Sequence, residues 1–394
     1  MFSRQFLTFL IITTGFDLLA LNLGFGAIRI SLFLFAFVFF LLVLKKQISF
    51  NTVEFISFFL LIFSMFITSY FSSYMLRSIA YIVWFLLCYL LYFSVFRSLS
   101  CRMTESAINY AVRDAGRIQI ILTALMFFMG VERPALLYYE PSYMAIALVP
   151  YIYLSLKGIQ GKGVFKSLDV LLIFILLFVT KSANLILLLA LSCAFIFFRF
   201  KLTSLVYSLI AVVSVYYFTI WYADNSDDLI AITFKNMHAS TDLLITVIER
   251  MGNRWPRFLL GLEVASQYLY TGVGLGTFSD FSLTYMPQLD YSKGFEWLEP
   301  RGFPVTNVFL ELVTEGGLFV LIFCIIFLNI VLLKPESFNS NHVIWRNLLV
   351  VMLFMLFVES SLLRPYVWAY LGIFSSFKVF NQKKNGKVSE ENFS

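Results

Sequence analysis

Apolar runs of close to 20 residues recur along almost the whole chain, and they leave few folds open. A helix of that length matches the hydrocarbon thickness of a bilayer, and it satisfies its own backbone hydrogen bonds where no water can. Twelve runs can be marked: 6–23, 27–44, 54–70, 76–96, 112–130, 142–156, 168–181, 183–198, 203–222, 305–333, 346–362 and 366–379. With 60% hydrophobic and 13% charged residues in 394, a soluble core is not a credible alternative. The expected fold class is all-α, a polytopic integral membrane protein of about 12 transmembrane helices with one long external loop. The expected division is a first bundle at 1–222, the loop at 223–304, three last spans at 305–381 and a disordered tail at 382–394.

A net charge of +6 could point to nucleic acid, but the basic residues are scattered between spans and so report topology. With a cytoplasmic N-terminus, the inside loops hold eighteen Lys and Arg, Arg97 and Arg117 among them. The outside short loops hold only Arg77, Arg133, Lys181 and Arg364. That bias places the long loop outside and both termini in the cytoplasm. The first run lacks a small-residue cleavage site and contains Asp17, which reads as a retained span. Cys88, Cys101, Cys193 and Cys324 show neither metal-ligand spacing nor a disulfide framework.

The unusual residues collect on the expected outside. Arg133 to Tyr143 leads straight into a span, with Pro141 suited to the first turn of a helix and Glu140 just before it. Glu140 reads either as a favourable helix start or as a base held at the membrane edge. In the long loop, Arg250, Arg254 and Arg257 have i, i+4, i+7 spacing, continued by Gly261. Pro256 opens a second geometry, in which a new helix starts there and Arg257 lies beside free backbone donors. Either arrangement gathers charge suited to phosphate or carboxylate, although an amphipathic helix lying on headgroups would use the same residues. Gly272, Gly274 and Gly276 lack dinucleotide spacing and read as a tight turn. Asn307, Glu311 and Glu315 then open the next span at i, i+4, i+8, where carboxylates need a cavity or a partner.

Three segments in this order resemble the O-antigen polymerase (Wzy) family, within the wider O-antigen ligase and polymerase group. They are Glu-Pro-Ser-x-x-Ala at Glu140–Ala145, Gly-x-Gly-x-Gly-x-Phe at Gly272–Phe278, and Asn-x-Phe-Leu-x-x-x-x-Glu-x-Gly at Asn307–Gly317. Arg250 and Gly261 also match a looser Arg-x10-Gly pattern. The motifs cover about a quarter of the chain. Ligases of this group carry a His where this chain has Thr306, which favours polymerase.

The resemblance implies a glycosyltransferase of the bacterial inner membrane that joins polyprenyl-pyrophosphate-linked oligosaccharides at the outer leaflet. It implies no cofactor and no metal, and partners that include the bilayer, a chain-length regulator and a flippase, but no nucleic acid. On that reading Glu140, Arg250, Arg254 and Arg257 are catalytic, with Glu311 as second-choice base. Arg77, Arg133, Tyr139, Gly261, Gly274, Asn307 and Glu311 bind substrate. The alternatives are a ligase-type transferase or, in a different class, a flippase of lipid-linked sugars. A flippase would place its polar residues mid-membrane, where Asp17 and Arg29 are the nearest candidates.

Overall fold

The computed structural model describes residues 3–22, 27–158, 165–197, 217, 219–226, 231–232, 235, 238, 254–287, 299–332, 340–358 and 362–377. Arg250, most of the expected span at 203–222 and the C-terminal tail lie outside the described residues. What is described is mostly helical, with one antiparallel pair, β1 (Ala20–Asn22) and β2 (Ala27–Arg29), in register at Leu21 and Ile28.

Among the described residues three helices are long and apolar enough to cross a membrane: α3 (Thr52–Tyr70), the rod Met75–Ser100, which is made of α4 (Met75–Leu87) and α5 (Ser94–Ser100) joined through a π-helical turn, and the entrance helix Val308–Leu332. Shorter apolar helices accompany them, including α1 (Arg4–Thr13) and α2 (Ile30–Leu44). Then come α6 (Glu105–Phe128), α7 (Pro141–Ala147), α8 (Val149–Gly158), α9 (Phe165–Thr180) and α10 (Ala183–Phe197). The arginine helix Arg254–Gln267 and a short helix Phe278–Thr284 precede the entrance helix. Ser340–Met355 and a last helix at 365–377 follow it.

Two expected spans are cut short, each for a local reason. The run 6–23 is helical only to Thr13, after which the chain turns back through the β1–β2 hairpin. Asp17 lies in that turn, where it pairs with Arg29 and Arg364 instead of entering hydrocarbon. The run 142–156 is two helices that meet at Leu148, because Pro150 has no N–H to continue the first ladder and fits the opening turn of the second.

Charge inside the bundle is paired, which is the condition for keeping it there. Arg97, expected in a loop, lies buried on a helix against the Glu54 carboxylate, and Ser375 Oγ donates to the same carboxylate at 2.7 Å. Arg117, also expected in a loop, makes a two-pronged contact with Asp169 at 2.7 and 2.9 Å, and Tyr151 adds a third bond at 3.1 Å.

Loops at the other end converge. Leu18 N–H bonds Leu137 O at 3.0 Å, Arg29 reaches Leu363 O at 3.2 Å, and Val308 N–H bonds Leu356 O at 3.1 Å. The entrance helix is broken nine residues, about two and a half turns, beyond Val308, at Gly317 (φ 78, ψ 175). A break exposes backbone groups that water cannot reach, so they need protein partners. The glycine loop supplies them. Val273 and Gly274 donate to Thr314 O and Glu315 O at 2.9 Å each, and Leu318 donates to Leu269 O at 2.7 Å. The Glu315 carboxylate accepts from Gly276 N–H at 2.6 Å and Phe278 N–H at 3.1 Å.

This interlock admits no side chain at Gly272, whose φ is +63 and whose Cβ would stand 2.2 Å from the Glu315 carbonyl oxygen. Gly130 is the control, with φ +95 and nothing within 4 Å. Gly130→Ala should cost about 1 kcal/mol through backbone strain alone. Gly272→Ala should cost about 2–4 kcal/mol, strain plus overpacking. Thermal unfolding in detergent compares them directly; equal melting temperatures would mean that the interlock does not constrain the fold.

Candidate functional site

A cleft of about 800 Å³ opens at the end where the loops converge. Five separate stretches of chain build it. The stretch from the loop after α6 to the start of α7 brings Arg133 and Glu140, and the α9–α10 turn brings Lys181 and Asn184. The arginine helix brings Arg254 and Trp255, and Thr306 stands at the foot of the entrance helix, with Phe357 and Val358 opposite. Among the described residues its charged lining is three cations and one carboxylate, a formal excess of two positive charges.

Each charged group is positioned by local chemistry. Glu140 is the N-cap of α7 in extended conformation, and Pro141 occupies the first turn as its missing donor permits. The Glu140 carboxylate makes no capping bond; it accepts from Ser142 Oγ at 3.1 Å and remains exposed. Lys181 ends α9 in the left-handed region, φ 47, which is rare for a residue with a side chain. Strained backbone of this kind concentrates at functional sites.

The arginines part company. In the described helix Pro256 falls in the first turn, and Arg254 faces the cleft with Nη1 at 3.5 Å from Val358 O. Arg257 turns to the segment before the entrance helix, where Nε donates to Pro304 O at 2.8 Å and the guanidinium lies 5.5 Å over the Phe303 ring. The expected common face is therefore divided between a cleft residue and a structural clamp. The helix is braced again by Tyr285, whose hydroxyl donates to Glu263 at 2.9 Å. Burial, and then Glu263, push that phenol up to about 12, so it stays a donor at ordinary pH.

The remaining expected residues are placed elsewhere. Arg77 pairs with Asp280 and reaches Ser279 at 3.4 Å, tying the short helix to the bundle. Glu311 is buried and accepts from the Tyr81 hydroxyl at 3.4 Å. Asn307 caps the entrance helix, its side-chain oxygen accepting from Phe309 N–H at 2.9 Å and Leu310 N–H at 3.2 Å. Gly261 and Gly274 are points of close approach: a Cβ would lie 3.1 Å from Leu310 and 1.9 Å from Ser72 Oγ, respectively. Tyr139 is exposed and lines a second, smaller cavity. Among the residues picked from sequence, Arg133, Glu140 and Arg254 share the cleft. Lys181 and Asn184 join them without having been picked, because a lone Lys at the end of an apolar run signals topology first.

This arrangement can bind a polyanion against Arg133, Lys181 and Arg254 while Glu140 accepts a proton beside it. Among the described residues no three His, Cys, Asp or Glu side chains gather as a metal site would require. No protein-family model matches the chain, and no curated protein matches it.

Lys181 separates stability from binding. Lys181→Gly should relieve the left-handed strain and stabilise the protein by about 1 kcal/mol. The same change should weaken binding of inorganic pyrophosphate, read by calorimetry, by about tenfold or more. A more stable variant with unchanged pyrophosphate affinity would remove Lys181 from the site.

Proposed function

We propose that this protein is a membrane glycosyltransferase that polymerises polyprenyl-pyrophosphate-linked oligosaccharide repeat units into a surface polysaccharide. The observation that carries this reading is the cleft, where Glu140 and the cations Arg133, Lys181 and Arg254 come together from three separate stretches of chain. The ordered motifs that resemble the O-antigen polymerases support it independently. In the full form of the proposal, about twelve spans carry an external loop, both termini are cytoplasmic, and the cleft opens at the outer face of a bacterial inner membrane. A flippase would supply the repeat units, and a chain-length regulator would act on the product.

The chemistry follows from the charges. An acceptor-sugar hydroxyl oxygen attacks the anomeric carbon of the donor glycan. The bond from that carbon to the pyrophosphate oxygen breaks, and the lipid pyrophosphate leaves with the electron pair. Glu140 takes the hydroxyl proton, which makes the oxygen a better nucleophile. Arg254, with Arg133 and Lys181, meets the charge that develops on the leaving pyrophosphate, in a site whose donors are already oriented. Arg257 has a supporting part, because its hold on Pro304 fixes the segment that ends in Thr306.

Purified protein in proteoliposomes, given lipid-linked repeat units, tests the assignment. Wild type should build a ladder of new glycosidic bonds. Arg254→Ala and Glu140→Gln should each slow it by about 10²–10³-fold. Unchanged glycans relocated across the bilayer would identify a flippase instead, and full activity in both variants would move the chemistry out of this cleft.

A further inference from the structure

A second cavity, of about 380 Å³, shares the first turn of α7 as a wall with the cleft: Tyr139 and Tyr143 line it, whereas Glu140, Pro141 and Ser142 line the cleft. At its centre Asp17, with a side chain only 3% exposed, sits between two guanidiniums. Arg29 Nε lies 3.0 Å from one carboxylate oxygen, and Arg364 Nη1 lies 3.1 Å from the other. One carboxylate between two arginines leaves a surplus positive charge in a cavity that also contains Trp84. Trp84 lies nine residues, about 13 Å, into the rod that begins at Met75. Charged groups that converge on a cavity wall in this way mark a candidate ligand site.

The first arginine is committed through Nε to Asp17 and through Nη1 to Leu363 O. The second is held differently: the Arg364 guanidinium lies 3.7 Å over the Tyr143 ring, and its buried Nε has no hydrogen-bond partner among the described residues. Stacking fixes the plane of the fork, and the 14% of the side chain that stays exposed lines the cavity, where an incoming oxygen would meet it. Around it stand aromatic faces, Trp84 and the largely exposed Tyr139, suited to the C–H face of a pyranose ring. A few polar groups set among aromatic walls are the usual make-up of a small-molecule site.

We infer that this cavity is a saccharide subsite selective for a sugar that carries a carboxylate. The carboxylate seats on Arg364 and Arg29, and the ring lies against Trp84 and Tyr139. That the bound sugar belongs to the acceptor repeat unit, presented past Tyr139 toward Glu140, rests on the polymerase reading; the binding itself does not.

Tryptophan fluorescence of the purified full chain in lipid nanodiscs reads the binding, with D-glucuronate, D-glucose and acetate as probes. Glucuronate should give a saturable change that disappears in Trp84→Phe, with glucose and acetate at least about tenfold weaker. Arg364→Gln should bring glucuronate down to the affinity of glucose. Tyr139→Ala, at an exposed position that leaves folding intact, should weaken both sugars and leave acetate unchanged. No saturable change with glucuronate, equal binding of acetate, or indifference to both Arg364→Gln and Tyr139→Ala would each overturn the subsite. The same preparation, given lipid-linked repeat units, reports separately on the polymerase reading. Glucuronate selectivity without a glycan ladder sinks polymerisation alone, and a ladder without selectivity sinks the subsite alone.

Discussion

The buried carboxylate of Glu315 connects the helical bundle to everything that stands above it. Two loop N–H groups, those of Gly276 and Phe278, donate to it, and its own carbonyl accepts from Gly274. A carboxyl group in that position is tolerable because its oxygens accept hydrogen bonds; leaving a buried polar group without its partner costs about 1–3 kcal/mol. Through this contact the glycine loop fills the break at Gly317, and the arginine helix, which runs directly into the loop, is laid against the entrance helix. Thr314 Oγ1 strengthens that packing by donating to Gly261 O at 3.3 Å. The position of Arg254 in the cleft is therefore a consequence of how a broken membrane helix satisfies its backbone.

Two of the sequence motifs turn out to be halves of one device. The Gly-x-Gly-x-Gly-x-Phe segment and the Glu-x-Gly end of the entrance motif each look like isolated turn or capping signals. In space the first is the set of donors and the second the set of acceptors. The glycines are required by close packing: Gly274 stands where a Cβ would meet the Ser72 side chain, and Gly272 where it would meet the Glu315 carbonyl.

How much was legible in the sequence follows the range of the interactions involved. Helix was readable wherever run length decides it, as at Thr52–Tyr70 and Val308–Leu332. Pro141 marked the start of α7 because a missing N–H acts locally. The β1–β2 hairpin was not readable, since strands of three residues carry no period. The contact of Arg257 was hidden for the opposite reason: its partner is a backbone carbonyl 47 positions away, which no spacing rule registers. Buried pairs such as Arg97 with Glu54 were hidden in the same way, and the arginine passed for a loop charge. The cleft itself was half legible, because Glu140, Arg133 and Arg254 are conspicuous by type, whereas Lys181 is conspicuous only through its backbone conformation.

The central claim is that a lipid pyrophosphate sits in the cleft between Glu140 and Arg254. Photo-crosslinking states it most directly: a polyprenyl pyrophosphate with a photoreactive group beside the phosphates is irradiated with the reconstituted protein, and the labelled peptides are sequenced. The account predicts label in the segments that contain Arg133 to Ser142, Lys181 to Asn184 and Arg254 to Phe258, lost when inorganic pyrophosphate competes. Label at the opposite end of the bundle, around Arg97 to Arg117, or label that pyrophosphate fails to displace, would contradict it.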